Sequence, residues 1–321
     1  MFDAERPDIF EIERAAERLA PFVWHTPIIP SAWLSDLSRA SVWLKLEIVQ
    51  QTGSFKARGA MNALLLLKEQ QPSTTTVVTA SAGNHGAGIA WAAAELGLHA
   101  RVHLPVSAPA AKRQSLLRLG AELIDAPTYE ASEIQARDDA ACTGAVWVSP
   151  YNHPDVIAGA GTVALEMLRD RPELDALIVP LGGGGLLAGA AIVARAMQAP
   201  ILVIGAECEA SPAFTAALAA NAITTVEVRP TLADGLAGNM EPGSRTFDIV
   251  RDHVDRVVLV AEGSIEVAMK GLIRHERLIA EGASATAVGA LLQGGLDLAG
   301  RHVGIILSGR NVDIEVLRRV L

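Results

Sequence analysis

Short apolar runs alternate with helix-length segments along most of this chain, and that alternation limits the fold more than any other feature. Residues 76–79, 101–104, 122–125 and 145–148 read as strands, separated by helical patterns at 84–96, 110–119 and 130–141. The alternation resumes with helices at 156–169, 185–197 and 212–220 around strands at 176–179 and 201–206. A strand at 257–260, helices at 265–279 and 285–292, a strand at 303–307 and a terminal helix complete it. Strands joined through helices by short connections run parallel, so the pattern predicts an α/β fold. The expectation is two lobes, each a mostly parallel twisted sheet flanked by helices. The turn-rich stretch Pro150 to Pro154 suggests the boundary: a small lobe at 52–148, and a large lobe built from 1–51 plus 149–321. Ahead of it, a helix is expected at 8–20, an irregular entry through Pro21, Pro27 and Pro30, a strand at 42–46 and a helix ending near 70. Residues 221–242 read mostly as loop.

Composition narrows the function. Half of the 321 residues are hydrophobic, as suits helices packed on a buried parallel sheet. The formal charge of −9 argues against nucleic acid or an anionic membrane as partner. Cys142 and Cys208 form no CxxC pair, so neither a disulfide framework nor a cysteine zinc site is expected. The longest uncharged run, 176–194, holds Pro180 and four consecutive glycines and reads as strand, loop and helix, not as a membrane span. The first 20 residues are rich in charge and read as no signal peptide, so a soluble cytoplasmic protein is expected.

Three strand-to-helix junctions have unusual composition. At Ser81-Ala82-Gly83-Asn84-His85-Gly86, small residues let backbone amides approach a ligand at a helix N-terminus; helix capping is the alternative reading. At Gly182-Gly183-Gly184-Gly185-Leu186, bare amides can wrap an anion, though close strand–helix packing also uses glycine. Glu207 after the next strand would suit a dinucleotide, but Leu187 breaks the GxGxxG spacing, and no Lys-Ser/Thr follows for a P-loop. Ser308-Gly309-Arg310-Asn311-Val312-Asp313 alone reads as a helix cap. Lys56, between a small polar turn and an apolar helix, is either helix punctuation or an amine held out of bulk water to form a Schiff base.

In this order and spacing the pieces resemble the fold-type II pyridoxal-phosphate enzymes of the serine/threonine dehydratase and serine racemase group. Ser54-Phe55-Lys56-Ala57-Arg58-Gly59-Ala60 is similar to that family's cofactor-lysine motif, Ser81 to Gly86 to its SxGNHG loop, the tetraglycine to its phosphate loop, and Ser308 to Asp313 to SGGNVD. The resemblance implies pyridoxal 5'-phosphate as cofactor and Lys56 as both Schiff-base anchor and catalytic base. It implies Phe55 against the ring, Asn84 on the ring hydroxyl, Gly182, Gly183, Gly184, Gly185 and Leu186 on the phosphate, Glu281 near the cofactor and Ser308 at the pyridine nitrogen. Ser81, Ala82, Gly83, Asn84 and His85 would grip the substrate carboxylate, with Ser81 also counted as catalytic and Asn152 lining the site. The implied reaction is loss of water from a 3-hydroxy amino acid of the L-threonine or L-serine type, giving a 2-oxo acid and ammonia. The implied assembly is a homodimer acting on a small amino-acid substrate.

Departures from the pattern refine this. Racemases of the group carry a second serine where this chain has Ala82, so elimination is expected over racemisation. A cation site of some relatives uses acids matching Glu207 and Ala213; the alanine predicts no metal there unless Glu209 compensates. Gly282 stands in place of a usual proline and is expected to loosen its loop. Arg310 replaces a glycine and either points to solvent or reads an acidic or bulky substrate tail, as in 3-hydroxyaspartate, phenylserine or a hydroxyectoine-derived amino acid. Regulation through a domain appended after Leu321 is not expected. A nicotinamide-dependent dehydrogenase is the more distant reading.

Overall fold

The computed structural model describes residues 6–197 and 199–321. Among the described residues, ten strands form two sheets. The first has the order β5-β4-β3-β6, from β3 (Thr76–Ala80), β4 (His99–Pro105), β5 (Glu122–Ala126) and β6 (Val146–Trp147), all parallel. The second has the order β1-β2-β10-β7-β8-β9. Its members are β1 (Ile28–Pro30), β2 (Ser41–Leu46), β7 (Ala176–Leu181), β8 (Leu202–Cys208), β9 (Arg256–Val260) and β10 (His302–Leu307). Only β1 runs antiparallel, on the edge. Every residue of β7 is buried, which is why it reads as an unbroken apolar run rather than an alternating one. The fold is therefore the α/β arrangement of mostly parallel sheets flanked by helices that the alternation predicts.

The first helix, Ile9–Leu19, starts where its cap is complete: the Asp8 carboxylate accepts from the Glu11 N–H at 2.8 Å, and Glu11 accepts from the Asp8 N–H at 2.9 Å. Helix Lys56–Gln70 matters most for the site, because Lys56 opens it. It lies almost backbone to backbone on helix Pro154–Asp170. A Cβ on Gly59 would stand 2.7 Å from the Val156 carbonyl, and one on Gly159 would stand 2.7 Å from that of Arg58. The Arg58 guanidinium, 1 % exposed, then locks the first turn through Glu47, Glu166 and the Trp24 carbonyl.

Several elements differ from the expectation. The stretch around Pro27 and Pro30 is not irregular. It forms β1 and then helix Ala32–Ser38, capped by Ser31 on the Leu34 N–H at 3.1 Å. Proline is tolerated there because an edge strand leaves N–H positions unpaired. Helix Arg245–His253 was not expected; its buried Thr246, Phe247, Ile249 and Val250 carry the amphipathic signal. The single helix expected at 265–279 is Glu262–Gly271 followed by one π-helical turn, Leu272–Glu276, ending at Arg277 with φ 60°. No helix among the described residues is long and apolar enough to cross a membrane.

Candidate active site

The loops after β3, β7 and β10 converge on one cavity of about 520 Å³ between the two sheets. Parallel strands all end on the same side, and this is what brings residues 81–85, 182–186 and 308 together. The wall includes Phe55 and Lys56, Ser81 to His85, Gly182 to Leu186, Glu281 and Ser308. Two antiparallel contacts align Lys56 with the end of β10. The Phe55 N–H donates to the Ser308 carbonyl at 2.9 Å, and the Arg310 N–H donates to the Gly53 carbonyl at 3.0 Å.

The Lys56 amine donates to the Pro150 carbonyl at 2.7 Å and lies 5.1 Å from the Phe55 ring centre. Desolvation lowers its pKa to about 8, against the opposing field of Glu281. A lysine poised there is a usable nucleophile and base near neutral pH. Glu281 is buried, and desolvation, reinforced by Asp234, raises its carboxyl to about 7. Its Oε1 accepts from Asn84 Nδ2 at 2.6 Å. Gly282 does not loosen this region. A Cβ there would collide with the Leu232 carbonyl, so the glycine permits tight packing beneath Glu281.

Burial, with the Lys56 charge nearby, lowers His85 to about 3, so its imidazole is neutral. Its Nε2 sits 3.3 Å from the Val148 carbonyl, which can only accept, so Nε2 carries the hydrogen. The buried Nδ1 is then a lone pair without a partner among the described residues. The His85 ring therefore offers no donor to the cavity; the donors of this loop are its amides and the Ser81 hydroxyl. Ser81 Oγ accepts from the Gly83 N–H at 3.2 Å. No side chain caps the helix that begins at Asn84, which leaves its first N–H groups to the cavity.

The tetraglycine forms the facing wall. A Cβ on Gly183 would collide with the Tyr151 ring, and one on Gly182 would meet Leu236 Cα at 2.9 Å. Gly184 adopts φ +88°, a conformation that favours glycine. Tyr151 is itself fixed, its hydroxyl accepting the Glu241 N–H at 2.8 Å. Thr246 Oγ1 holds the Gly183 carbonyl at 2.8 Å, and no side chain caps helix Gly185–Ala196. The amides at the start of that helix are left without a side-chain partner, as an anion site requires.

Two expected substrate contacts lie elsewhere. Asn152 is not on the cavity wall; its Oδ1 accepts the Arg245 N–H at 2.7 Å and caps helix Arg245–His253. Arg310 is exposed and its side chain covers Gly53, with Cγ and Nε both 3.4 Å from where a Gly53 Cβ would be. Its expected reading of a substrate tail has no geometric support. Glu207 uses both carboxylate oxygens on helix Ala213–Ala220, accepting from the Phe214 N–H at 2.6 Å and from the Thr215 N–H at 2.9 Å. Sequence reasoning missed Tyr151, Asn311 and the pair of Lys112 with Asp234, 2.6 Å apart at the cavity. Asn311 lay within a recognised motif; the others carry no local signal.

These walls set a buried lysine amine and two uncapped helix N-termini around one cavity. Residues 19–309 match the model of the pyridoxal-phosphate dependent enzyme family, and the chain belongs to that family. It is 39 % identical over 317 residues to an L-threonine ammonia-lyase of Thermotoga maritima, covering 97 % of this chain and 77 % of that one. Maize serine racemase superposes with a TM-score of 0.92 at 35 % identity, over 98 % of this chain and 97 % of the racemase. The processed form of threonine deaminase isoform 2 from Solanum lycopersicum superposes with 0.89 at 28 % identity, over 98 % of this chain and 94 % of the deaminase. The residues present fit the cofactor: a desolvated lysine, a cradle no Cβ could enter, and an Asn84 amide facing the cavity.

Proposed function

We propose that this enzyme eliminates water from a small L-3-hydroxy amino acid of the threonine or serine type, releasing a 2-oxo acid and ammonia. The observation that carries this is the Lys56 amine, with its pKa lowered to about 8, facing a cavity with two uncapped helix N-termini. Pyridoxal phosphate, when bound, supplies the electron sink that makes the substrate α-proton acidic. With the cofactor bound, Lys56 would hold it covalently, and its free amine would take that proton. The amides of Gly182 to Leu186 hold the phosphate, and Phe55 packs on the ring. Asn84 would hold the ring oxygen, and the neutral Ser308 hydroxyl would hold the ring nitrogen. The Ser81 hydroxyl and the amides of residues 82–85 hold the substrate carboxylate. The β-hydroxyl would leave with a proton as water, and the enamine released would take up water to give the oxo acid plus ammonia.

Ala82 lines the cavity where a racemase of the group would carry a second acid–base group, and a methyl cannot exchange a proton. Elimination is therefore favoured over racemisation, the second reading raised by the likeness to serine racemase. The two sheets support a small lobe at 52–148 and a large one from the remainder, with the cofactor between them. We assign the enzyme to the cytoplasm as a homodimer, which sedimentation and fractionation will check.

Borohydride reduction of the purified yellow protein should attach the cofactor to the peptide carrying Lys56. L-Thr, L-Ser, threo-3-hydroxyaspartate and phenylserine are then offered with detection of 2-oxo acid, and L-Thr or L-Ser should be turned over fastest. Recovery of D-amino acid from D2O at a rate matching oxo-acid formation would overturn elimination as the main activity.

A further inference from the structure

Asn84 is read above as the donor to the cofactor ring oxygen, yet an amide is nearly symmetric in shape. Either its N–H2 or its oxygen could face the cavity, with opposite consequences for a ring oxygen that carries negative charge. Three contacts remove the ambiguity. Asn311 Nδ2 donates to the Thr52 carbonyl at 2.8 Å and to Asn84 Oδ1 at 2.6 Å. Asn84 Nδ2 in turn donates to Glu281 Oε1 at 2.6 Å. A backbone carbonyl can only accept. The Asn311 atom against Thr52 must therefore be nitrogen, the Asn84 atom against that nitrogen must be oxygen, and the nitrogen of Asn84 must point to Glu281. One of its two hydrogens is used there, and the other remains for the cavity.

We propose that Thr52, Asn311, Asn84 and Glu281 form a polarised relay that fixes the Asn84 amide as a donor toward the cofactor ring oxygen, with Asn311 and Glu281 as positioning residues. The inference rests on the reading of Asn84 given above. The surroundings are shaped for it. Thr52 holds its carbonyl in place from a left-handed backbone, φ 59°, which few non-glycine residues adopt. Gly53 follows at φ +74°, and a Cβ there would fall 2.8 Å from Asn311 Oδ1. At the other end, a Cβ on Gly309 would fall 2.8 Å from Glu281 Oε1 and 3.1 Å from Asn84 Nδ2. The relay joins the turn before Lys56, the loop after β3 and the segment after β10, so it also couples the two sides of the cavity. Because its anchor is a carbonyl, its polarity survives protonation of Glu281.

Polarity makes a prediction that shape alone does not. Asn311→Asp keeps the size of the side chain but sets oxygen against both the Thr52 carbonyl and Asn84 Oδ1, so Asn84 must turn or lose its partner. Asn311→Ala merely removes the side chain. Cofactor affinity is measured by titrating the apo proteins, together with the visible absorption maximum of each holoenzyme and the thermal midpoint of each apo form. The expected result is that N311D binds the cofactor at least tenfold more weakly than N311A and shifts the absorption maximum, while both apo forms melt close to wild type. Equal or tighter binding by N311D, with an unmoved maximum, overturns the relay. If N311D does not fold, Glu281→Gln and Glu281→Met replace it. The glutamine keeps an acceptor oxygen and should leave the maximum in place, while the methionine should move it; coincident spectra overturn the relay. A wild-type chain that takes up no cofactor overturns the reading of the site and the relay with it. Normal wild-type uptake beside failed variant predictions overturns the relay alone.

Discussion

At Lys56, burial and charge are in direct opposition. A charged amine loses hydration in the cavity, and the pKa lowered to about 8 reflects that cost less the opposing field of Glu281. The folded pKa lies below the ordinary 10.5, so the folded state binds fewer protons between these values. The cost is present in full at pH 7, diminishes above pH 8 and is gone by about 10.5. Lys56→Met should therefore stabilise the apo protein by about 3 kcal/mol at pH 7 and by almost nothing at pH 10.5, as read from denaturant unfolding. An acid limb of α-proton exchange should appear where the Lys56 amine gains its proton, since only the neutral amine accepts one. Glu281 raises the Lys56 pKa, so Glu281→Gln should move that limb to lower pH. Residue scale is also where the motifs misled. Arg310 stood out as an added charge, yet its backbone contact with Gly53 turns the side chain outward, while its neighbour Asn311 reaches Asn84. Which of two adjacent residues faces the cavity depends on the pairing of that segment with residues 53–55, and no local pattern encodes it.

Among the elements, the strand–tetraglycine–helix unit does most to define the site. Its glycines are needed twice, for the left-handed turn at Gly184 and for close passage under Tyr151 and Leu236. Gly183→Ala must displace Tyr151 or the loop. It should weaken cofactor binding at least tenfold, measured by titration of the apo protein, with a smaller effect on its melting. The buried strands were legible because unbroken apolar runs ending in glycine or serine have few other structural solutions. Helix Arg245–His253 and helix Ala32–Ser38 were not, being short and preceded by turn-forming residues. The tertiary structure caps the former with the distant Asn152, which is also why Asn152 is absent from the cavity wall.

For the whole molecule, the strongest constraint outside the cavity is the buried ionic cluster of Arg58, Lys45, Glu47 and Glu166. Arg58 Nε lies 2.8 Å from Glu47, its Nη1 lies 2.7 Å from Glu166, and Lys45 Nζ lies 2.7 Å from Glu166. Two cations balance two anions in a region largely closed to solvent, tying β2 and the helix that begins at Lys56 to helix Pro154–Asp170. Arg58→Met would leave the carboxylates without their main partner. It should cost about 3–5 kcal/mol in denaturant unfolding and weaken cofactor retention by loosening the turn that carries Lys56.

The parallel α/β architecture, the family, the glycine run after β7 and the alanine at position 82 were legible in the sequence alone. Each is local: periodicity, a glycine run or a residue type at a motif position. Only the tertiary structure decided the pKa of Lys56, the tautomer of His85, the donor polarity of Asn84 and the capping role of Glu207. Desolvation and hydrogen-bond direction depend on which distant groups surround an atom, and those groups meet only when both sheets have folded against one another.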